Sequence, residues 1–112
     1  VEDALKAIGA SEGMALVFCP HTTAAITINE NADPDVCHDL MCVMSRLVPK
    51  TQEFFRHSEG NSDAHCFASL IGTSEQVIVQ DGRMVLGTWQ SLYFVELDGP
   101  RTRKVFVKFI KG

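Results

Sequence analysis

Four histidines stand among 112 residues, and three of them have small or polar neighbours: His21 in Cys-Pro-His-Thr-Thr, and His57 and His65 in His-Ser-Glu-Gly-Asn-Ser-Asp-Ala-His. Imidazole both exchanges protons near neutral pH and ligates metals, so this density admits proton transfer or metal binding. With a carboxylate such as Glu59, imidazole suits zinc or another borderline divalent ion, whereas Glu59 and Asp63 alone suit magnesium. The step of eight from His57 to His65 is too long for a helical i, i+4 pair, so shared ligation needs the intervening segment to fold back. The plain alternative is that the histidines cap turns or line a polar surface.

Other residues offer contacts. Gly87-Thr88-Trp89-Gln90 sets an aromatic ring and an amide beside a glycine, a platform for a flat heteroaromatic ligand, although a lone tryptophan more often belongs to a core. Arg101 and Arg103 can grip a phosphate through paired N–H donors; beside Asp98 they can equally form a solvated ion pair. Cys19, Cys37, Cys42 and Cys66 contain no C-x-x-C pair and read as reduced, buried thiols.

Periodicity and turn chemistry give the elements that must position these residues. Residues 1–8 read as a short amphipathic helix, and 14–19 and 25–29 as strands, leaving His21 at a bend between them. Along a straight strand Asn29 and Glu30 lie about 25 Å from His21, too far to share a site within one subunit. Asp33 caps and Pro34 opens a helix to about Leu47, stopped by Pro49. On it Val36, Leu40, Val43, Met44 and Leu47 fall within about 100° of arc, the expected buried face. His38 points the opposite way, and Met41 and Cys42, off that stripe, are expected at a subunit interface. Residues 51–63 read as a polar loop and 64–71 as a short helix. Strands at 76–80 and 83–86 form a hairpin about Asp81-Gly82, and strands at 89–97 and 102–110 flank the turn Asp98-Gly99-Pro100-Arg101.

Composition bounds the answer. With 46% hydrophobic and 21% charged residues, the chain reads as a single α+β domain over 1–112 with a largely antiparallel sheet. A net charge of -4 without a basic run argues against nucleic acid. The longest apolar run, residues 14–19, falls far short of the roughly 18 residues a membrane span needs. No signal-like segment precedes it, so a cytoplasmic protein is expected. The first residue is Val, which suggests that the natural start lies upstream.

Taken together, His21-Thr22-Thr23-Ala24-Ala25-Ile26, Asn29-Glu30, Asp33-Pro34, His38-Asp39, Glu59-Gly60-Asn61, Ala64-His65, Gly87-Thr88-Trp89-Gln90 and Asp98-Gly99-Pro100-Arg101 resemble, in order and spacing, the YjbQ family of secondary thiamine-phosphate synthase-like proteins. The resemblance covers essentially the whole chain. It implies a two-sheet β-sandwich with a few helices, assembled as a homotrimer, with His21 and His65 in one pocket. By that resemblance His21, Glu59 and His65 are catalytic, His21 and His65 hold a divalent metal such as zinc or magnesium, and Thr22, Trp89, Gln90 and Arg101 contact the ligand. Family members carry about two strands ahead of the helix that here begins at Val1, so a bare sheet edge is expected.

The implied reaction joins an aminopyrimidine diphosphate to a thiazole phosphate and releases pyrophosphate. It needs a cation for the leaving diphosphate, a flat apolar surface for the pyrimidine and exclusion of water. No P-loop lysine pattern or dense acidic cluster is present, so this activity is expected to be secondary to another reaction on a small phosphorylated or heteroaromatic metabolite. The alternative is a non-catalytic trimeric module that binds a metal or an anion.

Overall fold

A computed structural model describes all of residues 1–112. The chain opens with helix α1 (Glu2–Ala7), whose Leu5 is fully buried and whose Glu2 and Asp3 sit at the positive end of the helix dipole. Strand β1 (Gly13–Phe18) follows, then β2 (Ala24–Glu30), the long helix α2 (Pro34–Leu47) and α3 (Ser62–Ile71). The rest is strand: β3 (Ser74–Gln80), the two-residue β4 (Arg83–Met84), β5 (Gln90–Glu96) and β6 (Phe106–Lys111). These strands build two sheets, one in the order β4-β3-β1-β6 and one pairing β2 with β5, and every pairing is antiparallel. The α+β class and the two-sheet arrangement match the expectation.

The inner face follows the strand period of two. Ala15, Val17 and Cys19 of β1 and its extension alternate inward and meet Val77 and Val79 of β3, Leu5 of α1, and Ala24 and Ile26 of β2. The outer face of the four-stranded sheet is also apolar and lies bare. Met14 stands between Ile78 and Ile110, and Phe18 opposite Phe106, with Ile78 64%, Phe106 56% and Ile110 50% exposed. Asp81 and Gly82 both take positive φ (52° and 76°), the geometry of the tight β3–β4 turn.

Two strand expectations are corrected. The last strand begins at Phe106 rather than at residue 102, because the Lys104 N–H and the Arg103 side chain bond to the 21–23 loop instead of to a ladder. The second arm of the hairpin is only β4.

The expectation for α2 needs a larger correction. Asp33 caps it as expected, its carboxylate accepting from the Asp35 N–H at 2.9 Å. Yet α2 has no buried residue: Val36 and Met44 are half-buried, and Leu40, Val43 and Leu47 are exposed. Its inward side carries Cys37, Leu40, Met41 and Met44, which line a groove of about 360 Å³ over Tyr93 and Phe94 of β5. Met41 therefore faces its own chain, while Val43 and Leu47 face away. The apolar stripe is real, but only its Leu40 and Met44 side turns to β5, and no element of the same chain covers Val43 and Leu47. Thiol burial is corrected likewise: Cys19 is buried and Cys37 half-buried, but Cys42 and Cys66 are exposed. The outcome is an elongated molecule, with a radius of gyration of 16.0 Å against about 13 Å for a compact domain of this length. No helix is long and apolar enough to cross a membrane.

Candidate functional site

Three segments distant in sequence meet at one end of the β2–β5 sheet. The first is the 20–23 loop between β1 and β2; the second is the 57–65 stretch that leads into α3; the third is the turn after β5 that carries Arg101 and Arg103. They enclose a cleft of about 350 Å³ without a hydrophobic residue in its lining. His21, Thr22, Glu59, His65 and Arg101, chosen from sequence, all line it, and His57 and Arg103 join them. The 57–65 segment does fold back, bringing the His57 and His65 rings edge to face at 5.4 Å between centroids.

The floor is a fixed polar network. Arg103 clamps Glu96 through two bonds, Nε to Oε1 at 2.7 Å and Nη2 to Oε2 at 2.6 Å, and Nη2 also donates to Thr23 Oγ1 at 2.9 Å. That bidentate grip, with the Asp98 and Leu97 backbone N–H groups and against the effect of burial, holds the Glu96 carboxyl down to about 2. Glu96 in turn raises Arg103. Arg101 wraps Asp98, donating from Nε to its carbonyl at 3.0 Å and from Nη2 to Oδ2 at 2.9 Å. Asn61 Nδ2 donates to the same Oδ2 at 2.8 Å, and this bond first, then Arg101 and Arg103, keeps the Asp98 carboxyl below its usual range despite burial. Both arginines are thus oriented by carboxylates, and each keeps Nη1 without a bond to the chain.

Sequence reasoning gave no role to Asn61, Thr23 or Glu96, whereas the Arg101–Asp98 ion pair is one of the two readings it offered for that arginine. Asn61 stands at the N-cap of α3, 6% exposed, with no partner for its Oδ1. Its place directly ahead of a helical run was the available signal. Glu96 carries none, because its role depends on which arginine the turn brings to it.

His21 is half-buried, and its Nε2 accepts the Lys104 backbone N–H at 2.8 Å. The ring proton therefore sits on Nδ1. This bears on the metal expectation for His21 and His65. No group of three or more His, Cys, Asp or Glu side chains converges to hold an ion, and the Nε2 lone pair of His21 is already used. The residues as placed do not fit a metal.

Trp89 and Gln90 lie elsewhere. They stand at the opposite end of β5 from Glu96, about 20 Å along the strand. Trp89 is 62% exposed, and Gln90 Oε1 accepts from the Gly87 N–H at 2.8 Å. Glu30 pairs with Gln90 in the ladder, so Asn29 and Glu30 are also remote from His21, as strand length requires. At that end the Tyr93 hydroxyl donates to the Glu30 carbonyl and to Asn31 Oδ1, and contact with the Cys37 thiol, aided by burial, pushes it up to about 12.

A two-sheet α+β domain with a histidine- and arginine-lined cleft is the class of protein that this geometry defines. The sequence model described as "UPF0047 protein YjbQ-like" matches residues 1–112, and the chain belongs to that family. The UPF0047 protein YugU of Bacillus subtilis (strain 168) is 52% identical over 110 residues, covering 98% of this chain and 83% of the relative. The UPF0047 protein MJ1081 of Methanocaldococcus jannaschii is 54% identical over 99 residues, covering 88% and 71%. Among solved structures, an uncharacterised family member from Clostridium acetobutylicum superimposes with a TM-score of 0.93 at 57% identity, over 98% of this chain and 84% of the other. A conserved hypothetical protein from Thermus thermophilus gives 0.92 at 40% identity, over 98% and 85%.

Proposed function

We propose that the cleft binds a small phosphorylated metabolite, which His21 orients as a hydrogen-bond donor and to or from which His65 moves a proton. One observation carries this reading: His21, Thr22, Glu59, His65 and Arg101 converge from three separate segments on one predominantly polar cleft. In it the free Nη1 groups of Arg101 and Arg103, the Thr22 hydroxyl and the His21 Nδ1–H are the donors for phosphate oxygens. His65, with Glu59 in the same lining, is the acid/base group. Pre-oriented arginines lose little entropy on binding and can stabilise a departing diphosphate. Joining an aminopyrimidine diphosphate to a thiazole phosphate is therefore the activity to test first, with no step assigned to a metal.

The cleft has no aromatic or aliphatic side chain beyond Pro20 and its imidazoles on which to seat a pyrimidine ring, and Trp89 lies too far along β5 to supply one within the same chain. A homotrimer reconciles these facts, since a neighbouring copy can bring its own Trp89 and Gln90 to the cleft. The bare outer face of the four-stranded sheet and the uncovered Val43 and Leu47 of α2 support assembly with further copies.

The test is complementation of a strain that lacks thiamine-phosphate synthase. The parent chain is expected to restore growth and His21→Ala to fail. Growth with His21→Ala and with His65→Ala equal to the parent would remove the catalytic assignment. One observation favours a non-catalytic trimeric anion-binding module instead: both cleft arginines are already paired with carboxylates. That reading expects thermal stabilisation by inorganic pyrophosphate without complementation.

A further inference from the structure

Away from the cleft, the outer face of α2 carries a second constellation that the proposed function does not use. His38 and Cys42 are one helical turn apart, so their side chains share a face. Asp39 Oδ1 lies 3.1 Å from His38 Nδ1, and Cys42 Sγ lies 3.7 Å from His38 Nε2. The carboxylate can only accept, so it fixes the ring proton on Nδ1 and leaves the Nε2 lone pair facing the thiol. That is the order of groups that activates a nucleophile: thiol, base, and a carboxylate orienting the base. His38 and Asp39 are 72% and 77% exposed at their side chains, and Cys42 is exposed, so an external reagent reaches all three.

We propose that Cys42 is the reactive thiol of this chain and forms mixed disulfides with low-molecular-weight disulfides, with His38 as its base and Asp39 positioning His38. In the step His38 Nε2 takes the thiol proton, and the Cys42 sulfur attacks one sulfur of the reagent. The reagent's S–S bond breaks, and its other half leaves as a thiolate with the electron pair. Cys42 is oxidised to the mixed disulfide, and the departing half is reduced. The other thiols lack this setting. Cys19 is buried, Cys37 is turned inward against the Tyr93 hydroxyl at 3.4 Å, and Cys66 is exposed on α3 without an imidazole contact.

The test treats the folded chain with substoichiometric oxidised glutathione at pH 7 and follows each cysteine by peptide mass spectrometry. Cys66 is the exposed control, and an unreacted Cys19 shows that the chain is folded. Cys42 is expected to react at least about tenfold faster than Cys66, a cautious share of what a positioned base contributes. His38→Gln should bring Cys42 to the Cys66 rate without changing Cys66, and Asp39→Ala should slow Cys42 in part. Equal rates in the parent chain would overturn the proposal. So would a Cys42 rate that His38→Gln leaves unchanged, or a Cys42 shielded from reagent because another copy covers this face.

Discussion

The Lys104 backbone N–H donates to Nε2 of His21 at 2.8 Å across 83 positions of sequence. This bond fastens the stretch before β6 to the loop between β1 and β2, and it selects the imidazole tautomer. A nitrogen that accepts a backbone N–H holds no proton and offers no lone pair to a metal. The half of the ring left for a ligand is the Nδ1–H donor.

The first prediction is that tautomer. A long-range nitrogen–proton NMR spectrum of the His21 ring should show Nδ1 protonated and Nε2 bare at pH 8, and one equivalent of zinc should leave the pattern unchanged. A proton on Nε2, or loss of the pattern with stoichiometric zinc, would show that the Lys104 bond does not form in solution and would reopen the metal reading.

The second prediction concerns Glu96, held down to about 2 chiefly by the Arg103 clamp. A carboxyl whose folded value lies below its unfolded one stabilises the fold above the unfolded value, near 4.5, and that stability is lost as pH falls towards 2. Glu96→Gln should cost about 1–2 kcal/mol at pH 7, a range that allows for a side chain partly in water. It should cost much less near pH 2. Urea titrations of both proteins at the two pH values measure the difference, and a cost independent of pH would show that the ion pair does not form.

The sequence made the cleft legible but not the surfaces. The family resemblance gathers His21, Glu59, His65 and Arg101, whereas their spacing alone left turn-capping or a polar surface open, because nothing local says that the three segments meet. The Asp33-Pro34 and Asp81-Gly82 signals are local chemistry, and both elements formed as expected. Trp89 misled because its glycine-flanked setting describes a platform, whereas strand length decides what that platform can reach. The stripe on α2 misled more instructively. Leu40, Val43 and Leu47 form an apolar stripe, and periodicity is blind to whether any element of the same chain covers it. Glu96 was invisible, since a carboxylate that orients an arginine seven positions away looks like any exposed acid until the turn is folded.

The third prediction follows from that uncovered stripe. Val43→Asp and Leu47→Asp alter side chains 55% and 69% exposed in the single chain. They should shift monomer stability by no more than about 0.5 kcal/mol. If other copies cover these residues, the same changes bury charges at an interface and should dissociate it. Light scattering at micromolar concentration should give a trimer for the parent and a smaller species for either variant. A monomeric parent would sink the assembly and, with it, any role for a neighbour's Trp89.

The fourth prediction tests the network beneath the cleft at Asn61. Its Nδ2 donates to Asp98 Oδ2 at 2.8 Å while its Oδ1 has no partner, so the amide serves the fold through its donor end. Asn61→Asp keeps size and shape but replaces that donor with a second carboxylate against Asp98. Two carboxylates at hydrogen-bond distance cannot both ionise readily, so one of them titrates higher in the folded state than in the unfolded chain. The sign is then opposite to that for Glu96: stability of the variant is greatest below the unfolded carboxylate range and falls as pH rises through the raised value. Asn61→Asp should therefore melt well below the parent at pH 8 and approach it at pH 4. Asn61→Ala, which loses the bond without adding charge, should show a smaller deficit that does not grow with pH in this way. Equal pH profiles for the two variants would mean that Asn61 and Asp98 are not in contact in solution.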